Sequence, residues 1–183
     1  TRNSLDSRLL STDESAATPE GPWEYYSRTV EGLQYPILCR RPRGGGRESV
    51  ILDENILAEG HDYTLVGDAE TTPDQRLLAY TVDRSGGERF TLRVRDMATG
   101  ADLDDVVENV YYSLAWSSDS RSLVYTRPDT AMRPHQVWRH DLGAPTTADA
   151  LVMQEDDEHF FAGVERARSG RFVIVALESQ VTS

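Results

Sequence analysis

Hydrophobic residues along this chain fall into short runs of about five to eight, broken by Gly, Pro, Asp and Ser. WEYYSRTV (23–30), YPILCRR (35–41), ESVILDEN (48–55), LLAYTV (77–82), FTLRVRDM (90–97), SLVYT (122–126), QVWRHDL (136–142) and FVIVAL (172–177) all read as strands. They are rich in β-branched and aromatic residues and bounded by turn formers, as strands require. LLAYTV, SLVYT and FVIVAL are apolar at nearly every position, so both of their faces are expected to be buried. FTLRVRDM and QVWRHDL alternate instead, which suits strands with one wetter face.

The runs repeat. TTPDQRLLAYTVD (71–83) is written again as WSSDSRSLVYTRPD (116–129) and as RARSGRFVIVALES (166–179). Asp74, Arg76 and Tyr80 recur as Asp119, Arg121 and Tyr125, each 45 residues on, and Arg171 follows Arg121 by 50. A second segment keeps the register: Asp96-Met97 recurs as Asp141-Leu142, again 45 residues on. A period of about 40–50 residues built from strand and turn marks β-propeller blades. Each copy predicts a tight turn feeding the second strand of a blade, with Pro73 setting the turn and Asp or Ser capping it. Segments near 102–107 and 151–155 are expected as shorter outer strands. The fold class is therefore all-β: a partial β-propeller of about three and a half four-stranded antiparallel blades, at about 23–58, 62–107, 109–155 and, truncated, 159–183. Residues 1–20 are polar and rich in Ser and Thr; they read as a linker or the end of an N-terminal extension, with a helical turn expected at Asp6–Leu10. Residues 21–183 read as the incomplete propeller. A closed propeller uses about four to eight blades, so the chain is expected to be a piece of a longer protein.

Composition adds limits. The formal net charge of −12 and pI near 4.7 disfavour nucleic acid and anionic membranes as partners and are compatible with basic peptides. No apolar run approaches a membrane span. The single cysteine, Cys39, lies in an apolar run; it allows no internal disulfide and makes a cytoplasmic setting the default.

The search for chemistry returns no catalytic, cofactor-binding or metal-binding residue. A nucleophile elbow needs Gly-x-Ser-x-Gly, and no such pentapeptide occurs; Ser85 in DRSGGE reads as a hairpin loop. Gly44-Gly45-Gly46 lacks the Gly-Lys-Ser/Thr ending of a phosphate cradle and reads as a loop. His61, His135, His140 and His159 lack zinc spacing. His61, beside Asp62, reads as a hydrogen-bonded structural residue at a blade junction; His135 and His140 read as packing or rim residues. The acidic clusters Asp102, Asp104, Asp105 and Glu155–Glu158 read as solvated, without calcium-loop spacing. Trp23, Trp116 and Trp138 read as inter-blade packing.

GPWEYYSRTVEG (21–32), YPILCRR (35–41), LDENILAEGHDY (52–63), SGGERFTLRVRDMATG (85–100), RPHQVWRH (133–140) and EDDEHFFAGVERARSGRF (155–172) together resemble the oligopeptidase B (protease II) branch of the prolyl oligopeptidase family of serine peptidases. The likeness runs over nearly all of 20–183. The resemblance implies a seven-bladed propeller seated on a C-terminal α/β-hydrolase domain, which is absent from this sequence and would carry the Ser, Asp and His triad. It also implies cleavage of short peptides after Arg or Lys, with the propeller restricting access. On that basis the chain is expected to be the gating, substrate-admitting part of a serine oligopeptidase, with the hydrolase domain and short basic peptides as its partners, and to have no peptidase activity by itself. The alternative is a non-catalytic propeller scaffold for protein–protein interaction, which fold alone cannot distinguish.

Overall fold

The computed structural model describes residues 12–179. They divide into two compact units, up to Gly60 and from His61 onward. The helical turn expected at Asp6–Leu10 lies outside the described residues.

In the first unit, β3 (Trp23–Val30), β4 (Ile37–Pro42) and β5 (Ser49–Asp53) form an antiparallel meander. Two short strands, β1 (Thr12–Glu14) and β2 (Thr18–Glu20), pair with β3. They lie inside the stretch read from sequence as linker. That polar segment gives no hydrophobic period, and its strand conformation comes from edge pairing with β3. Tyr26, Ile37 and Cys39 make the unit's buried cluster. ESVILDEN does not stay extended to its end: at Asp53 the chain turns into the helix α1 (Glu54–Ala58). The Asp53 carboxylate accepts the Asn55 N–H and caps it. A five-residue helix carries too little periodicity to be read from sequence.

The second unit is a succession of antiparallel meanders. The first contains β6 (Leu65–Thr71), β7 (Leu77–Asp83), β8 (Phe90–Asp96) and β9 (Asp102–Val110). The second contains β10 (Leu114–Trp116), β11 (Ser122–Pro128), β12 (Pro134–Asp141) and β13 (Ala150–Gln154). β14 (Phe160–Arg166) and β15 (Val173–Ser179) pair as a two-stranded sheet. Arg76, Arg121 and Arg171 stand just ahead of β7, β11 and β15, the second strand of each sheet. Every interior position of β7 is buried, as its continuous apolar run predicts, and β8 alternates. β9 is nine residues long rather than short, because bulges opposite β8 let it run on to Val110.

The repeated turns are the same turn. In the first copy Thr72 Oγ1 accepts the N–H groups of Arg76 and Leu77, while Asp74 accepts from Arg76. In the second, Ser117 Oγ accepts from Ser122 and Asp119 accepts from Arg121. The fourth residue of each turn has positive φ: Gln75 (63°), Ser120 (60°) and, in the third copy, Gly170 (70°). Only glycine takes that conformation without penalty.

The core lies between sheets. Val107 and Val110 of β9 pack with Leu114, Trp116, Leu123 and Tyr125 of the next sheet in one buried cluster. Ala115 and Val137 then meet Ala162 and Val164 of β14 in another. Trp116 is buried and its indole N–H donates across to the Glu70 carbonyl at 2.9 Å. Gly67 sits where a methyl group would come within 2.6 Å of Tyr112 Cβ and 2.7 Å of the Phe90 ring. Phe172, Ile174, Val175 and Leu177 of the last strand region are exposed, and among the described residues β15 pairs with β14 alone.

Candidate functional site

A buried polar cluster joins the two four-stranded sheets of the second unit. It grows from a pattern written into each repeat. Tyr80 on β7 donates its hydroxyl to Asp102 at 2.9 Å, and Arg95 on β8 donates to the same carboxylate at 2.7 Å. In the next sheet Tyr125 on β11 donates to Asp149 at 2.7 Å, and His140 on β12 places Nδ1 2.7 Å from that carboxylate. Tyr80 to Tyr125 and Arg95 to His140 both keep the 45-residue offset. Each sheet thus ties its second, third and fourth strands together through one aspartate at the start of, or just ahead of, the outer strand.

Replacing arginine by histidine changes the second copy. Imidazole carries a nitrogen on each of two sides, and both donate when the ring is protonated. The other nitrogen, Nε2, reaches out of its own sheet to Asp105 on β9, 3.1 Å away. Asp105 also accepts the Gly143 N–H. His140 is fully buried, and the side chains of Asp105 and Asp149 are 6% and 1% exposed. Both ring nitrogens face carboxylate oxygens, so the bridge needs an N–H on each side: the imidazolium. Burial opposes that charge, but hydrogen bonds and charge from Asp149 and Asp105 outweigh it and hold the His140 pKa above the ordinary histidine value. Burial, with the adjacent carboxylates, pushes the Tyr80 hydroxyl up to about 12 and the Tyr125 hydroxyl higher still, so both stay donors.

The His140–Asp149 pair has the look of an acid–base dyad, in which a carboxylate orients an imidazole. It cannot act as one here. The nitrogen that would activate a nucleophile is held by Asp105, and the ring is fully buried. The cluster is a clamp between sheets. The expectation that Asp102, Asp104 and Asp105 are solvated holds for Asp104, which is exposed, but not for Asp105, which is buried in the clamp. Asp102 is half-exposed and paired to Arg95. The sequence signal for the clamp was the 45-residue register, which makes His140 the counterpart of a paired arginine.

The other candidates behave as follows. His61 is exposed. His159 is exposed and lies 2.7 Å from Asp157. Ser85 is in the β7–β8 loop, its hydroxyl and N–H both donating to Asp83. Gly44–Gly46 form the β4–β5 loop. Cys39 is fully buried, and desolvation raises its thiol pKa to about 11, against any nucleophilic role. Arg133, not singled out from sequence, is buried; it pairs with Asp129 and donates to the carbonyls of Glu155, Asp157 and Phe160, pinning the link into β14. The side chains from Asp156 to Glu158 are exposed, as expected of a solvated cluster.

Residues 2–183 match the family described as "Prolyl oligopeptidase, N-terminal beta-propeller domain". The chain belongs to this family. Its successive meanders are therefore propeller blades, and the clamp joins two neighbouring ones. Dipeptidyl aminopeptidase BI of Pseudoxanthomonas mexicana is 38% identical, over 96% of this chain and 27% of that protein. Protease 2 of Moraxella lacunata is 35% identical, over 98% of this chain and 27% of that protein. Among solved structures, oligopeptidase B from Leishmania major superposes with a TM-score of 0.87 at 29% identity, over 91% of this chain and 24% of that one. Oligopeptidase B from Trypanosoma brucei, with covalently bound antipain in a closed form, superposes with a TM-score of 0.84 at 34% identity, over 91% of this chain and 24% of that one. The propeller chain thus spans about a quarter of the length of the relatives it matches.

Proposed function

We propose that this chain is the propeller portion of a serine oligopeptidase, forming part of the wall through which short peptides reach an α/β-hydrolase domain of the same polypeptide. The observation that carries the reading is the family match over residues 2–183, whose propeller relatives are peptidases. The hydrolase domain supplies the serine nucleophile and acyl transfer; this chain supplies a rigid, clamped wall. Residues 21–183 are assigned to the propeller, in blades near 23–58, 62–107, 109–155 and 159–183. The substrates are short peptides cut after Arg or Lys, a preference with which the net charge of −12 is in keeping, since an acidic field concentrates cationic peptides. The setting is cytoplasmic; among the described residues no helix is long and apolar enough to cross a membrane.

The test uses the whole polypeptide that carries this chain and a set of fluorogenic amides with Arg, Lys, Pro or Ala before the cleaved bond. Turnover of the Arg and Lys amides, blocked by a serine reagent and absent from purified 1–183, supports the reading. An inert whole polypeptide favours the interaction scaffold instead. Hydrolysis by 1–183 that withstands contaminant controls removes the division of labour between wall and catalyst.

A further inference from the structure

Asp68 and Ser113 hold the same place in successive blades, 45 residues apart. Each lies on or just ahead of the first strand of its sheet and reaches across to the first strand of the next. Ser113 makes a complete stitch: its hydroxyl accepts the Val164 N–H at 2.8 Å and donates to the Val164 carbonyl at 2.9 Å. Asp68 makes half of one. Its Oδ2 accepts the Leu114 N–H at 3.4 Å, and its Oδ1 accepts the Ala69 N–H at 2.8 Å. Leu114 and Val164 are themselves counterparts, 50 residues apart like Arg121 and Arg171. The two seams therefore present the same backbone position to different side chains. A hydroxyl both donates and accepts; an ionised carboxylate only accepts, and a protonated one regains a donor.

The surroundings of Asp68 favour its protonated form. The β6–β7 pairing breaks between Val66 and Ala69, so the Asp68 N–H leaves the ladder for Thr81 Oγ1 at 3.0 Å. Thr81 in turn donates to the Tyr112 carbonyl at 3.5 Å. Thr81 of β7, Phe90 of β8, Tyr112 and Leu114 surround Gly67 and Asp68. The Tyr112 phenol is the one titratable group among these four, and none of them is charged. Burial raises the Asp68 pKa, and the Ala69 and Leu114 N–H groups offset it only in part.

We propose that Asp68 is a proton-operated stitch between the first strands of these two blades: protonated, it holds the N–H and the carbonyl of Leu114 as Ser113 holds those of Val164, and ionised, it lets the carbonyl go. The folded state binds this proton more tightly than the unfolded chain. The full stitch is therefore present below the ordinary aspartate value of 3.8 and is lost as pH rises through the raised folded value. One seam slackens as pH rises, and the next, stitched by Ser113, does not. The device goes beyond the peptidase reading and does not depend on it.

The experiment is a pH titration of the 183-residue chain, followed by NMR at the Asp68 carboxyl carbon and the Leu114 and Val164 carbonyl carbons. The Leu114 carbonyl is expected to shift with the midpoint of the Asp68 carboxyl, and the Val164 carbonyl is expected not to follow it. Across that midpoint, Leu114 amide exchange, corrected for its intrinsic rate and referred to Val164, is expected to quicken at least about threefold, the size of one neutral hydrogen bond. Asp68→Asn, whose amide donates and accepts at every pH, is expected to abolish both changes and to hold Leu114 in its slowly exchanging state. A Leu114 carbonyl that ignores the Asp68 midpoint, a flat exchange ratio in the wild type, or a shift that persists in Asp68→Asn overturns the proposal. Should Asp68→Asn fail to fold, the wild-type titration decides alone: a Leu114 carbonyl and an Asp68 carboxyl that titrate apart overturn it.

Discussion

Removing His140 is the most informative single perturbation of this fold. His140→Leu keeps an apolar side chain of moderate size in a site that is fully buried, but deletes both halves of the bridge between Asp105 and Asp149. Two charge-assisted hydrogen bonds at 2.7 and 3.1 Å are lost, and hydrogen bonds to charged groups contribute about 1.5–3 kcal/mol each. Breaking a buried ion pair from one side typically costs about 3–5 kcal/mol, because the partner charge stays behind. Here each carboxylate keeps one other donor, Tyr125 for Asp149 and the Gly143 N–H for Asp105. That places the expected loss at the lower end, about 3 kcal/mol at pH 6, or about 6–12 °C in Tm. The pH dependence has a definite sign. The folded-state pKa of His140 lies above its unfolded value, so the folded state binds more protons. The clamp's contribution is fully present below the ordinary histidine value of 6.5 and is lost as pH rises through the raised folded value. The assay is urea unfolding of wild type and His140→Leu at equal concentration, followed by tryptophan fluorescence, at pH 6 and pH 9. Any self-association common to both proteins then cancels in the difference. A gap below about 1 kcal/mol at pH 6, the size of an ordinary surface effect, would refute the clamp. So would a gap that stays constant or widens at pH 9.

Two further predictions concern packing and a buried acid. Gly67→Ala places a methyl group 2.6 Å from Tyr112 Cβ and 2.7 Å from Phe90 Cε1, so thermal unfolding should show a loss of about 1–3 kcal/mol; an unchanged Tm would mean that β6 shifts freely. Glu54, buried in the first turn of α1, has its pKa raised from 4.5 to about 7 by desolvation first and by Asp53 second. Its folded form holds the proton more tightly than the unfolded chain, so its penalty is absent below about pH 4.5 and grows toward pH 7. Glu54→Gln should therefore stabilise the chain near pH 7.5 by up to about 3 kcal/mol and do nothing at pH 4; equal effects at the two pH values would rule out a buried charge as the cause.

The sequence alone determined the strands, the turns between them and the order of the sheets. These features are local, or repeat locally. Thr72 and Ser117 cap turns a few residues away, and the apolar run LLAYTV declares its burial by composition, whereas FVIVAL, expected to be buried on both faces, is largely exposed among the described residues because β15 pairs with β14 alone. The 45-residue register then implies packed neighbours, because one sheet cannot cover both of its own faces. The two short strands within 1–20, the stretch read as a linker or the end of an N-terminal extension, and the end of the strand read through Asn55 were missed where local pattern is weakest. β1 and β2 exist by pairing with β3, and α1 is fixed by one cap. Only the tertiary structure decided what the polar residues do. Asp104 and Asp105 look alike in LDDVV, yet they point to opposite faces of β9; Asp105 meets a histidine 35 positions later and Asp104 meets solvent. His61 and His140 are equally plain in the sequence, and one is exposed while the other is fully buried between two carboxylates. Arg127 sits in an ordinary strand ending, SLVYTRPD, and its guanidinium lies over an indole only because the neighbouring strand brings Trp138 to it. Burial and pairing of charge are set by what arrives from other sheets, and no spacing along one strand encodes that.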